Sequence, residues 1–298
     1  MATFKVDNEQ HGELNCWRIV SPHAELLIAQ QGAQILSYQR TDEPPLLWLS
    51  DQATFGQGKS VRAGVPVCWP WFSNFQRNPD SVKAAYHGSD APAHGLVRGR
   101  DWQLLGIEER GDALRVEFDL PEAQGRLPGW PHKVELRLVI ELGAHLHIAL
   151  SSRNLGDSSV TLAQALHSYF AVSDVREVQV EGVEGLTYIE TLENWEPRTQ
   201  HEVLRFTGET DRIYLNTPQQ LAIIDPRWNR RVTLRTRGSR SAVIWNPHVE
   251  RARELPDMAD DGWQRMLCIE TANVWDDVIT LEPGDRHVLE VQLDSEAL

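Results

Sequence analysis

The sequence predicts an all-β protein, a large antiparallel β-sandwich, and three observations predict it. Apolar residues recur at every second position in one segment after another, which is the period of a half-buried strand. Turn-forming residues separate these segments, with no alternation of strand and helix patterns. The chain has 298 residues, a length at which sandwiches and barrels commonly form one unit, so a single domain over 1–298 is expected.

Strand candidates at 17–20, 24–30 and 33–39 open the chain. Residues 50–100 then form a long irregular stretch. LRVEFDL at 114–120 alternates, and 121–131 is again irregular. In KVELRLVIEL, Val134, Leu136, Leu138, Ile140 and Leu142 occupy even positions between mostly charged neighbours. Gly143-Ala144 turns the chain, and Leu146, Ile148 and Leu150 resume the pattern, which predicts a hairpin. Further strands are expected at 160–172, 177–183, 220–225, 231–236, 241–245 and 266–271, with 190–212 irregular. HVLEVQL at 287–293 follows the turn Glu282-Pro283-Gly284-Asp285. One short helix is expected within 249–260. In a compact β domain such long loops usually carry function.

Composition narrows the function. Lys plus Arg is 29 and Asp plus Glu is 43, so the net charge of −14 disfavours nucleic acid and anionic membranes as partners. Cys16, Cys68 and Cys268 form no Cys-x-x-Cys pair, which fits a reducing cytoplasm. MATFKVDNEQ has no apolar leader region and no apolar run reaches membrane-span length, so a soluble cytoplasmic protein is expected. With no long apolar edge in view, the expected state is a monomer. The 11 tryptophans exceed both Phe and Tyr; their flat faces suit an aromatic core and also the C–H faces of sugars.

Several segments could carry chemistry. If LAQALHSYFAV (162–172) is one strand, His167 shares a face with Ala163, Ala165, Tyr169 and Ala171, a face with room beside it. There it is either a hydrogen-bonded core histidine or a general acid/base. In RMLCIETANVW (265–275), alternation puts Glu270 beside Cys268 and Ala272 inside an apolar run. Burial raises a carboxyl group's pKa toward the range of a useful base, unless an arginine pairs with it. APAHGLVRGRDW (91–102) offers His94 and Arg98, ETDRIYLN (209–216) offers Asp211, and SVRAGVPVCWPWF (60–72) places Arg62 ahead of rigid aromatics. An arginine forks onto hydroxyls or phosphate, or is simply solvated. In the last segment Trp69 and Phe72 are expected to be packing residues. His145 and His147 could share a metal only with a third ligand, which the spacing does not supply, so no metal and no cofactor are expected. Phosphate loops, dinucleotide fingerprints and the Gly-x-Ser-x-Gly elbow are absent from the sequence.

Taken in order, VRAGVPVCWPWF, AHGLVRGRDW, ALHSYF and CIETANVW resemble the glucose-6-phosphate 1-epimerases, hexose-6-phosphate mutarotases of the aldose 1-epimerase superfamily. The resemblance runs from about residue 20 to the C-terminus. It implies the galactose mutarotase-like β-supersandwich, with His167 as acid and Glu270 as base. It also implies Arg62, Arg98 and Asp211 as sugar-binding positions and a phosphorylated hexose as the small-molecule partner; His94, from the same motif as Arg98, joins the binding candidates. Ala63, Ala93 and Trp71 stand where relatives often carry Gly, Gln and Gln, and these departures bear on sugar preference. On the implied mechanism, Glu270 takes the C1 hydroxyl proton while His167 protonates the ring oxygen; the open aldehyde rotates and the steps reverse. Two other readings stay open from residues alone. One is a glycoside hydrolase or lyase using Glu270 and Asp211. The other is a non-catalytic carbohydrate binder.

Overall fold

The structure is a computed structural model that describes residues 4–298; the first three residues of MATFKVDNEQ lie outside it. Every ladder between its named strands is antiparallel. A nine-stranded sheet runs from Leu204–Arg205 at one edge to Gln103–Arg110 at the other, with the predicted hairpin Val134–Leu142 and Leu146–Asn154 within it. An eight-stranded sheet holds Thr210–Leu215, Ser241–Asn246 and Met266–Asn273 in succession, flanked by Gln164–Leu166 and Val67–Cys68. A four-stranded sheet is built from Lys5–His11, Leu14–Val20, Ala24–Ala29 and Ile35–Arg40.

The alternating pattern decides the layers. Along Val134–Leu142 the even positions are buried and the odd ones half-exposed. Leu138, Ile140, Leu150, Val291 and Leu293 from the nine-stranded sheet join Phe170, Tyr214, Ile244 and Ile269 from the eight-stranded sheet in one core. The opposite face of the eight-stranded sheet is different. Ala163, Ala165, Ile189, Ile213, Val243 and Ala272 form a second cluster there, with Cys68, Trp71, Val82 and Tyr86 from the 50–100 stretch laid over it. The sheet is therefore covered on both sides, and this is why Met266–Asn273 is buried at every position.

Four expectations need correction. Residues 160–172 are three short strands, Val160–Leu162, Gln164–Leu166 and Tyr169–Ala171, broken at His167-Ser168; at the break the His167 N–H bonds the Pro66 carbonyl instead of a sheet partner. Residues 190–212 are not irregular throughout. They contain Glu196–Thr199, Leu204–Arg205 and the start of Thr210–Leu215, ordered by pairing with strands whose own pattern is stronger. Polar segments such as Lys5–His11 are strands as well, here because a hairpin clamps them to Leu14–Val20. Besides the expected helix, found at His248–Arg253, a short one occupies Asp80–Ala84.

Candidate active site

Strand register assembles the site floor. Asp211 pairs with Trp245, Trp245 with Cys268, and Cys268 with Tyr169. One row along, Ile213 pairs with Val243 and Val243 with Glu270. Side chains two residues apart share a face, so Glu270 projects on the same side as Cys268 and Ala272, as the alternation predicts. At the break in the neighbouring strand, His167 comes up beside it, with its Nε2 3.4 Å from Glu270 Oε1. Small neighbours (Cys68, Cys268, Ala272) leave room, and an open cavity of about 340 Å³ stands over the pair. That volume lies in the range of roughly 300–1,000 Å³ typical of small-molecule sites.

The walls come from the loops. Two glycines set the loop path where no other residue fits. Gly64 has φ +52, and a Cβ on it would lie 1.9 Å from the Ile35 carbonyl oxygen; Gly95 has φ +86, and its Cβ would lie 2.0 Å from the Trp69 carbonyl oxygen. Gly64 sends Arg62 over the floor, where its Nε donates to Asp257 at 2.8 Å and its Nη1 to the Tyr169 hydroxyl at 3.2 Å. The Trp245 ring lies 5.9 Å beneath the guanidinium. Gly95 seats His94, whose Nδ1 lies 3.3 Å from both the Ser73 N–H and the Cys68 thiol. An Nδ1 that accepts from these groups leaves the proton on Nε2, making His94 a neutral donor. Its ring centroid is 5.3 Å from that of His167. Arg98 lines the cavity and donates to the Ala93 carbonyl.

Electrostatics at the floor are unusual. Glu270 is 2% exposed and His167 6%, and neither Glu270 Oε2 nor His167 Nδ1 has a hydrogen-bond partner among the described residues. Burial raises the Glu270 pKa well above the usual carboxylate range; the negative charge of Asp211 adds to this and Arg98 opposes it. Burial lowers the His167 pKa to about 3, assisted by Arg98 and Arg62. Burial therefore favours the neutral form of each group, carboxylic acid and imidazole. Asp211 is itself raised to about 6, chiefly by burial. His94 is held well below its ordinary value by burial and then by Arg98.

All six residues singled out from the sequence, Arg62, His94, Arg98, His167, Asp211 and Glu270, line this one cavity. Phe72 corrects an expectation: it lines the cavity and packs its ring 5.0 Å from that of His94. Trp69 is the packing residue it was expected to be, with its ring 4.9 Å from that of Trp130. His145 and His147 face different carboxylates, Asp294 at 3.1 Å and Glu290 at 3.2 Å. Sequence reasoning missed Trp245, Ser73 and Arg251 as cavity-lining residues. Trp245 shares a face with Val243 by simple alternation and could have been found once Glu270 was placed. Arg251 lies on the short helix, where nothing in the local pattern marks it.

The aldose 1-epimerase family profile matches residues 15–294. A curated protein of Cenchrus ciliaris named "Putative glucose-6-phosphate 1-epimerase" is 34% identical over 266 residues, spanning 86% of this chain and 76% of its own length. One of the same name from Escherichia coli strain K12 is 34% identical over 262 residues, with 87% and 83% covered. A crystal structure described as a "putative mutarotase" from Salmonella typhimurium superposes with a TM-score of 0.86 at 27% identity, covering 98% of this chain and 94% of that one.

Proposed function

The chain belongs to the aldose 1-epimerase family, and from that premise we propose that it interconverts the α and β anomers of a hexose 6-phosphate, glucose 6-phosphate first among them. The observation that carries this reading is the buried His167–Glu270 contact of 3.4 Å beneath a cavity edged by Arg62, Arg98 and Arg251. Anomerisation moves a proton between two oxygens bonded to one carbon. An acid and a base must therefore sit side by side, and these two do. The curated relatives carry glucose-6-phosphate 1-epimerase in their names, and cationic donors above the floor suit a phosphate.

In this mechanism Glu270 takes the C1 hydroxyl proton and His167 protonates the ring oxygen. Each positioned group contributes about 10²–10⁴-fold. Burial favours the neutral form of both groups, so the pair is armed by one proton transfer from Glu270 to His167, without exchange with solvent. Arg98 disfavours the imidazolium and favours the carboxylate, so its two effects on this transfer oppose each other. Arg62 acts against the imidazolium. A phosphate that neutralises Arg62 therefore tips the proton toward His167. On this reading the phosphate raises kcat as well as affinity. His94 offers its Nε2 proton to a sugar oxygen, and Asp211 accepts from a hydroxyl. The three free, buried cysteines fit a reducing cytoplasm.

The test is an anomerisation assay by polarimetry or NMR with glucose 6-phosphate beside glucose and galactose. The reading expects the highest kcat/KM with glucose 6-phosphate and overturns if no sugar is accelerated beyond buffer.

A further inference from the structure

Three arginines line the cavity, and the protein treats them differently. Arg98 makes no ion pair among the described residues and donates to the Ala93 carbonyl. Arg251 pairs with Glu254 at 2.5 Å, where both side chains are exposed. Of the three, Arg62 alone is held by a carboxylate within the structure. Its partner is Asp257 at 2.8 Å, with the two side chains 17% and 23% exposed. We infer that Asp257 is a specificity-determining residue: its carboxylate takes part of the place of a substrate phosphate at Arg62 and so limits how strongly the protein prefers a phosphorylated hexose to a free one. The inference rests on the anomerase reading of the cavity.

Asp257 acts through Arg62. It does not line the cavity itself, although Leu255 two residues earlier does. Its place is fixed from both sides. The Ser50 hydroxyl donates to its backbone carbonyl at 2.6 Å. The next residue, Met258, is buried in the core, with its N–H on the Leu255 carbonyl at 3.1 Å. The carboxylate engages Arg62 Nε and the Tyr169 hydroxyl engages Nη1, so Nη2 has no protein partner among the described residues. A free guanidinium donor at a cavity wall suits a phosphate oxygen. A carboxylate on the same guanidinium weakens the attraction and repels the incoming anion.

The line continues to the acid of the reaction. The Tyr169 ring stacks on that of His167 at 4.8 Å with 12° between their planes. The Arg62 charge disfavours the His167 imidazolium, and Asp257 offsets part of that charge. With a free hexose bound, Asp257 is the one anion on Arg62 among the described residues. With a hexose phosphate bound, the substrate brings a second. The carboxylate therefore helps the chemistry of the sugar that carries no charge, and costs affinity for the sugar that does.

The experiment is Asp257→Asn, which keeps an oxygen for Arg62 Nε and removes the charge. Measured by polarimetry or NMR, the ratio of kcat/KM for glucose 6-phosphate to that for glucose should rise about tenfold. The rise should divide between a lower KM for glucose 6-phosphate and a lower kcat for glucose. Loss of a merely structural residue would impair both substrates together. Sulfate supplies an anion without a sugar, so it should raise the glucose kcat of this variant by a larger factor than that of the wild type. Asp257→Glu should bring the ratio back to within about threefold of the wild type. Asp257→Ser, neutral and smaller, carries the ratio test if the amide variant does not fold. A ratio that stays level or falls overturns the inference, as does a sulfate response no larger than that of the wild type. If the wild type accelerates no sugar, the anomerase reading fails by itself and titration calorimetry decides. Tighter binding of glucose 6-phosphate by Asp257→Asn, with glucose binding unchanged, then upholds the role of Asp257, and equal binding overturns it.

Discussion

On the solvent-side face of the nine-stranded sheet, Arg115, Glu117, Arg137, Glu135 and Glu141 pair with one another at 2.9–3.3 Å. On the cavity face of the eight-stranded sheet, Glu270 and His167 are buried, lack partners on one atom each, and touch only across 3.4 Å. The first set is half-exposed and every charge in it has an opposite charge beside it, although Arg115 Nε and Arg137 Nε lack a hydrogen-bond partner, so each charge is cheap and its net value small. The second set is desolvated and unsatisfied, which costs stability in the empty protein and leaves hydrogen-bonding capacity for a ligand. Charge number does not separate the two faces. What separates them is whether the protein itself supplies the partner.

The largest expected effect lies on the cavity side. Glu270→Gln and His167→Ala should each lower kcat for glucose 6-phosphate by at least about 100-fold in a folded protein; near-normal rates in either variant would remove that residue from the chemistry. Next, Arg62→Ala or Arg98→Ala should cut kcat/KM for glucose 6-phosphate by about 10–100-fold, the value of a charged hydrogen bond, and cut that for glucose much less. Equal losses on both sugars would take the phosphate away from these arginines.

A smaller effect concerns stability. Burial raises the Glu270 pKa of the folded protein above its value of 4.5 in the unfolded chain, so this group lowers stability as pH rises above that point. His167 acts oppositely: the unfolded chain binds its proton below 6.5, whereas the folded protein does so only near 3, so stability from this group grows with pH between those values. The two oppose each other above 4.5, and the His167 contribution is complete by 6.5. Glu270→Gln should accordingly melt a few degrees above the wild type at pH 7.5, with the difference gone by pH 4. A variant melting below wild type at pH 7.5 would show that the buried carboxyl is satisfied after all. The smallest effect belongs to the other sheet: Arg137→Ala should cost about 1 kcal/mol or less in denaturant unfolding and leave anomerisation unchanged.

The sequence made one half of this contrast easy to see. Val134–Leu142 alternates so regularly that its two faces, and the pairing of its charges, follow from spacing. His167 and Glu270 were also legible, because each sits among small residues where alternation aims it at open space. Asp211 was legible only as a polar residue in a supposed loop, since the Thr210–Leu215 strand draws its order from Ser241–Asn246 across the sheet. Phe72 read as packing, and Arg251 was missed, because what they face comes from distant parts of the chain.

Composition and period-two patterning by themselves determined an all-β sandwich and which residues of each strand turn inward, because side-chain direction in a strand is a local property. Only the tertiary structure decided that residues from positions 62 to 270 share one cavity and that burial pushes the Glu270 pKa up and the His167 pKa down. Register between distant strands, loop closure over a sheet and the depth at which a charge is buried are set by long-range contacts, and no local pattern encodes them.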